Sequence, residues 1–370
     1  MHHLPGAVRL HESALTVPVF HALRVCDVRR ETADTVSVAF EVPAELIEAY
    51  AFEPGQHLTV RMPSQPDGEE IRRSYSICSG LDDGDLRIAV KNVPGGVFGA
   101  YACERLQPGD VLDVMTPIGR FTTALDPTAE RSYLGVAAGS GITPVISLIR
   151  SVLAREPKSR FTLVYGNRGP SSVIFREALE DLKDRYLDRL QVIHVFSREQ
   201  QGAPLLNGRV TGEKIRAMAT TLLEVPSYDE VFICGPEPMT LDVRDALVDL
   251  GLDPVHVHLE LFGSTTPTAP RVHHETGERR HITYVYNGVK TEVEAHPDDT
   301  VLEAGELAGL DLPYSCRGGV CSTCRAKILE GAVEMDRNYA LEPWETEAGF
   351  VLTCQSHPTT DALVVDYDAV

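Results

Sequence analysis

Between about residue 20 and residue 125 the apolar positions come in short runs, each cut by a turn signal: EPGQH at 53–57, QPDGEE at 65–70, LDDGD at 81–85 and QPGD at 107–110. Runs closed by Pro-Gly and Asp-Gly predict a small antiparallel barrel or sandwich, because such turns reverse the chain after a few extended residues. From about 130 to 262 the rhythm becomes strand, glycine turn, helix: RSYLGVAAG leads into VISLIRSVLA, FTLVYGN precedes FREALEDLKDRY, and LQVIHVF and EVFICGP are further apolar runs. That alternation predicts parallel strands with helices on both faces. Residues 263–280, GSTTPTAPRVHHETGERR, are polar and lack a hydrophobic period, as a linker does. Beyond them HITYVYNGVKTEVEA predicts a hairpin and TVLEAGELAGL a helix. The expected organisation is an N-terminal extension (1–19), a barrel (20–125), an α/β unit (126–262), the linker (263–280) and an α+β C-terminal unit (281–370).

A chain of 370 residues is too long for one ordinary domain, which agrees with this division. Thirty-four Lys and Arg against 54 Asp and Glu give a net charge of −20. Such an excess argues against nucleic acid or an anionic membrane as partner, since both demand a basic face. It suits solubility, or docking to a basic protein. No run approaches the ~20 apolar residues of a spanning helix, and the first twenty residues lack the basic-then-apolar order of a secretory signal, so a cytoplasmic protein is expected. In that compartment eight cysteines read as ligands or chemistry rather than disulfides.

Four of the eight gather near the end. In PYSCRGGVCSTC, four residues separate Cys316 from Cys321 and two separate Cys321 from Cys324; Cys354 follows in LTCQSHP. This is the spacing of a plant-type 2Fe-2S site. Three thiolates must converge from one tight loop, for which Gly318 and Gly319 supply backbone freedom and N–H groups near the sulfurs. Cys354 is expected on a separate strand that closes the site. A zinc site would usually pair two C-x-x-C knuckles, and only one is present.

Two further motifs suggest nucleotides. RRSYSICSG holds Arg73, Tyr75 and Ser76 on a predicted strand. There an aromatic ring can stack on an isoalloxazine, a hydroxyl can reach its N5, and an arginine can hold a pyrophosphate. Tyr and Ser are also ordinary strand residues; what tips the reading is KNVPGGVFGAY, where Gly95 and Gly96 precede a helix N-terminus suited to phosphate. VAAGSGITP places Gly139 and Gly141 in a strand-to-helix turn, with Pro144 in the first helical turn. It reads G-x-G-x-x-P, not the Rossmann fingerprint. FICGP sets Cys234 at the carboxyl edge of the sheet, where ligands bind, although a lone Cys there is more often buried filler. Ser197 and Arg198 end another strand and favour NADPH over NADH through a 2′-phosphate contact, or else are solvated loop residues.

R-x-Y-S at 73–76, GGVF at 95–98, GSGITP at 139–144, YGNR at 165–168, CGP at 234–236 and the four cysteines occur in one order along the chain. In that order they resemble the ferredoxin–NADP reductase superfamily, in the arrangement of oxygenase reductases ending in a plant-type ferredoxin domain. Within that group RSYSICS, TLVYGNR and the segment 335–368 are similar to reductases that serve di-iron epoxidases. The resemblance implies a six-stranded antiparallel flavin barrel, an α/β nicotinamide domain with a parallel sheet, and a β-grasp 2Fe-2S domain. It implies that Arg73, Tyr75 and Ser76 contact FAD, with Ser76 near N5, and that Gly95, Gly96 and Val97 lie by its pyrophosphate. Some relatives carry FMN; the glycine pair favours FAD. Gly139, Ser140, Gly141 and Thr143 would cradle the nicotinamide nucleotide, Cys234 would sit near hydride transfer, and Glu260 and Phe262 in HLELFG would approach the flavin ring. Electrons would pass from NADPH through FAD and the cluster to a separate oxygenase, a di-iron multicomponent monooxygenase. The alternatives are the reductase of another aromatic or steroid oxygenase, and a non-catalytic iron–sulfur carrier whose flavin site has decayed.

Overall fold

The computed structural model describes residues 18–62, 70–263 and 279–369. The N-terminal extension up to residue 17, most of the QPDGEE turn and most of the linker therefore lie outside the described residues.

The first unit contains strands β1 (Phe20–Thr32), β2 (Thr35–Glu41), β3 (His57–Arg61), β4 (Arg72–Ser76), β5 (Leu86–Lys91) and β6 (Val111–Met115), with helix α1 (Val97–Glu104) before β6. They form one antiparallel sheet in the order β4-β3-β6-β1-β2-β5. Ile77, one residue beyond β4, bridges to Ile88 of β5 and closes the sheet on itself. Closure leaves an interior filled by Leu23, Val25, Val38, Leu58, Val60, Ile88, Leu112 and Val114, all buried. In the β3–β4 pair His57 stands opposite Ser76.

The second unit alternates β7 (Ser132–Ala138), α2 (Ile142–Arg155), β8 (Arg160–Asn167), α3 (Arg176–Arg185), β9 (Leu190–Phe196), α4 (Gly212–Met218), β10 (Glu230–Cys234), α5 (Glu237–Asp249) and β11 (Val257–Glu260). Its five parallel strands run in the order β11-β10-β7-β8-β9. Alternate residues of β7 serve the two faces, as a pleat requires. Tyr133 and Ala137 join the core under α2 and α3, while Leu134 and Val136 join that under α4 and α5.

The C-terminal unit contains β12 (Arg280–Tyr286), β13 (Val289–Ala295), α6 (Val301–Leu307), β14 (Arg325–Glu330), β15 (Val333–Met335), α7 (Pro343–Glu347), β16 (Phe350–Leu352), β17 (Ser356–Pro358) and β18 (Ala362–Asp366). Its main sheet, β13-β12-β18-β14-β16, is mixed, with β12 and β18 parallel and the remaining pairs antiparallel, as in a β-grasp. Thr300 and Glu303 form a reciprocal capping box that starts α6. The helix buries Val301, Leu302 and Ala304 against Ile282, Tyr284 and Leu352. Barrel, parallel α/β unit and β-grasp unit are the fold class the motifs implied. Among the described residues no helix is long and apolar enough to cross a membrane.

Candidate functional site

Side chains of β4 alternate between two faces, Arg73 and Tyr75 on one and Arg72, Ser74 and Ser76 on the other. Tyr75 is half-buried against Phe98 of α1, ring centroids 5.4 Å apart, and burial drives its phenol pKa upward. Arg73 is exposed. The Ser76 hydroxyl donates to Oε2 of Glu260, at the end of β11, at 2.8 Å. Beside these groups lies a cavity of about 920 Å³, walled on one side by His57, Arg73, Ser76, Val97, Glu260 and Phe262 and on the other by Cys316, Gly318 and Cys321. Glu260 is half-buried at this cavity, and desolvation pushes its carboxyl up to about 7 against the lowering effect of the Ser76 bond.

Sequence reasoning passed over His57. It is 5% exposed, and burial lowers its pKa to about 4, so the ring is neutral near pH 7. Its Nε2 is buried without a hydrogen-bond partner in a residue that lines the cavity. An orphaned ring nitrogen of this kind fits a ligand with polar ring edges, and an isoalloxazine has them. The only signal in the sequence is its place directly after a Pro-Gly-Gln turn. Gly95 and Gly96 are not brought to this wall: they flank the start of α1, Gly95 with φ +80° and exposed, and only Val97 of that turn reaches the cavity.

A second cavity, of about 710 Å³, opens at the carboxyl ends of β7 to β10. Gly139, Ser140 and Gly141 line it. A Cβ on Gly141 would stand 2.0 Å from the carbonyl oxygen of Cys234, so only glycine lets this turn lie against β10. Thr143 is buried and does not line the cavity; its hydroxyl donates to the Ser140 carbonyl at 3.0 Å and braces the turn from behind. Cys234 is also fully buried beneath the cavity, its thiol pushed up by burial and by the nearby Glu260. Ser197 and Arg198 line the cavity together with Arg168 and Arg209, and none of these three guanidiniums has a carboxylate partner among the described residues. Buried Nδ2 of Asn167, another lining residue, has no hydrogen-bond partner. Free cations and an orphaned amide suit a nucleotide with phosphate groups. Phe262 borders both cavities.

The cysteine loop departs from expectation in two details. The left-handed residues are Arg317, Gly319 and Ser322, with φ of +50°, +75° and +52°; Gly318 is not among them. Gly318 serves instead through its N–H, 3.3 Å from Sγ of Cys316. Cys354 lies not on a strand but in the turn between β16 and β17, which a sulfur needs if it is to face the loop rather than a sheet neighbour. The Cys321 thiol and the N–H groups of Gly318, Val320 and Cys321 hold the Cys316 thiol down to about 6. Neighbouring thiols act on one another's acidity, Cys321 on Cys316 and Cys354 on Cys324. Among the described residues no three His, Cys, Asp or Glu donors gather about a single ion. Four thiols, three from one loop and Cys354 from the turn between β16 and β17, suit the ligand set of a two-iron cluster.

Comparison with known proteins agrees over most of the chain. Residues 22–123 match an oxidoreductase FAD-binding domain, 136–245 an oxidoreductase NAD-binding domain, and 285–359 a 2Fe-2S iron–sulfur cluster binding domain. The chain is 46% identical to one of the subunits of the 1,2-phenylacetyl-CoA epoxidase of Escherichia coli (strain K12), over 95% of its own length and 98% of that protein's. It is 36% identical to the ferredoxin reductase component of 3-ketosteroid-9-alpha-monooxygenase from Rhodococcus rhodochrous, over 95% and 99% of the two chains. Among solved structures, phthalate dioxygenase reductase superposes with a TM-score of 0.55 at 26% identity, covering 94% of this chain and 98% of that one.

Proposed function

The chain belongs to the ferredoxin–NADP reductase superfamily, among the reductases that end in a 2Fe-2S domain, and from that premise we propose that it is the reductase of a 1,2-phenylacetyl-CoA epoxidase, fed by NADPH. The observation that carries the reductase reading is the shared cavity, with the R-x-Y-S strand on one wall and the cysteine loop on the other. When bound, FAD accepts a hydride's two electrons and releases them singly, as a 2Fe-2S cluster must receive them.

The protein's part is to hold and orient. Arg73, Tyr75, Ser76 and His57 would hold the flavin, with Gly95, Gly96 and Val97 at its pyrophosphate. Gly139, Ser140 and Gly141 would receive the nicotinamide nucleotide, Thr143 bracing them and Cys234 backing the turn. Ser197 and Arg198, with Arg168 and Arg209, would grip a ribose 2′-phosphate, which supports NADPH over NADH. Phe262 separates the two cavities, a place suited to a residue that covers one ring until the other arrives. Cys316, Cys321, Cys324 and Cys354 would ligate the cluster. The boundaries 20–125, 126–262 and 281–370 are the division we propose. The client would be a di-iron oxygenase of the cytoplasm, favoured over a ketosteroid hydroxylase by 46% against 36% identity.

Anaerobic mixing with NADPH or NADH, followed in the visible spectrum, tests this. Flavin bleaching and then cluster reduction are expected, faster with NADPH. Purified phenylacetyl-CoA epoxidase should turn over when this protein is added, and a ketosteroid hydroxylase should not. Absence of flavin reduction by either nucleotide would overturn the reductase reading.

A further inference from the structure

β4 carries two residues that the flavin motif does not use. Arg72 and Ser74 share the face of Ser76, and both reach residues some 240 positions away in the C-terminal unit. Arg72 is 4% exposed. Its Nη1 donates to the Leu312 carbonyl at 3.0 Å, its Nη2 pairs with the Asp311 carboxylate, and its guanidinium lies 4.2 Å from the Tyr314 ring centroid. Arg61 of β3 adds a second, longer pairing to Asp311 at 3.5 Å. Ser74 Oγ donates to Ser315 Oγ at 2.8 Å, and Ser315 directly precedes Cys316.

A buried guanidinium is costly unless its charge and donors are matched; Nε of Arg72 pairs with Glu70 of the barrel, and its remaining matches, Asp311, the Leu312 carbonyl and the Tyr314 ring, belong to the C-terminal unit. Glu70 would remain with Arg72 if that unit moved away, while Asp311, Leu312 and Tyr314 would be lost to it. The contact brings the cysteine loop to the wall facing Ser76 and Glu260.

We propose that Arg72 and Ser74 are positioning residues: they seat the C-terminal unit on the barrel, through Asp311, Leu312 and Ser315, with Cys316 at the flavin cavity. The inference rests on the reading that this cavity takes the flavin. The transfer it serves is balanced by one electron leaving reduced flavin and one entering the oxidised cluster at each event.

Asp311 is the place to test it, because its side chain is 70% exposed and its loss leaves the barrel intact. Holoprotein carrying Asp311→Asn or Ser315→Ala would be measured by small-angle scattering and by two-wavelength stopped flow against NADPH. The expected Asp311→Asn result is a more extended particle and cluster reduction at least about tenfold slower, with flavin reduction within about twofold of wild type. Asp311→Glu should restore both. Raising salt from about 0.05 to 0.5 M should extend the wild type and leave Asp311→Asn little changed. Wild-type scattering and wild-type cluster reduction in both variants would overturn the proposal. If wild-type flavin is not reduced at all, the functional reading fails, and scattering alone still decides whether Arg72 and Asp311 seat the unit.

Discussion

Phe121 of the barrel packs edge-on against Phe232 of β10, ring centroids 5.1 Å apart, and with Cys78 and Ala89 it belongs to the same apolar cluster as Ile142, Ile146 and Phe161 of the nucleotide unit. On the barrel's other contact, Arg72 meets Asp311, Ser74 meets Ser315, and Arg120 meets the buried Glu345 at 2.8 Å, with the exposed Trp344 ring 5.1 Å from its guanidinium. The apolar cluster of the C-terminal unit contains none of the barrel's residues. One interface has a continuous apolar core, with Arg150–Asp83, Arg155–Asp82 and Ser147–Ser79 bonds beside it, whereas the other is joined by polar contacts without a shared apolar cluster. Apolar burial is unspecific in direction, whereas a polar contact holds only while its partners stay matched in one geometry. On this comparison barrel and nucleotide unit are expected to stay together as one body, and the C-terminal unit to be the one that separates more readily.

The largest test of this division removes the chemistry of the detachable part. Cys321→Ser should abolish cluster-dependent reduction of cytochrome c while sparing reduction of a direct two-electron acceptor, as assayed side by side on the purified variant. Equal loss of both would mean that the two bodies depend on each other. The next test attacks the continuous core. Phe232 is fully buried between Phe121 and His258, so Phe232→Ala should cost about 3–5 kcal/mol in unfolding of the barrel–nucleotide body, read from flavin release on heating. A loss below about 1 kcal/mol, the scale of an exposed ion pair, would erase the distinction between the interfaces.

The motifs that the sequence showed are those whose chemistry needs residues close together along the chain. The three-cysteine loop from Cys316 to Cys324, the glycine turn at Gly139 and Gly141, and the strand with Tyr75 and Ser76 each work within a dozen positions. Even so, local backbone detail escaped: Arg317 takes the left-handed conformation expected of Gly318, and Cys354 sits in a turn. The contacts between the barrel and the C-terminal unit escaped entirely. Arg72 beside Arg73 reads as a doubled cation on a strand, and nothing near it announces Asp311 or Leu312. Asp311 and Ser315 look like ordinary loop residues for the same reason. Burial of His57 follows from barrel closure and from its register opposite Ser76, neither of which leaves a pattern in neighbouring residues.

The smallest expected effect concerns one polar bond within the persistent interface, Ser76 to Glu260, which borders the flavin cavity. Desolvation raises the Glu260 carboxyl from 4.5 to about 7. Between those values the folded protein holds a proton that the unfolded chain has lost, so folding stability falls as pH rises through the window. Below pH 4.5 both states are protonated and the term vanishes; above 7 the full penalty of a desolvated carboxylate remains. Glu260→Gln keeps an acceptor for the Ser76 hydroxyl but carries no charge. The variant should match wild type in thermal unfolding at pH 5 and exceed it by about 1 kcal/mol at pH 8, a figure reduced for the partial exposure of the carboxyl. A difference that does not change with pH would show that Glu260 is not desolvated. The two interfaces should then answer to different variables, ionic strength at the Arg72–Asp311 pairing and pH at the Ser76–Glu260 contact.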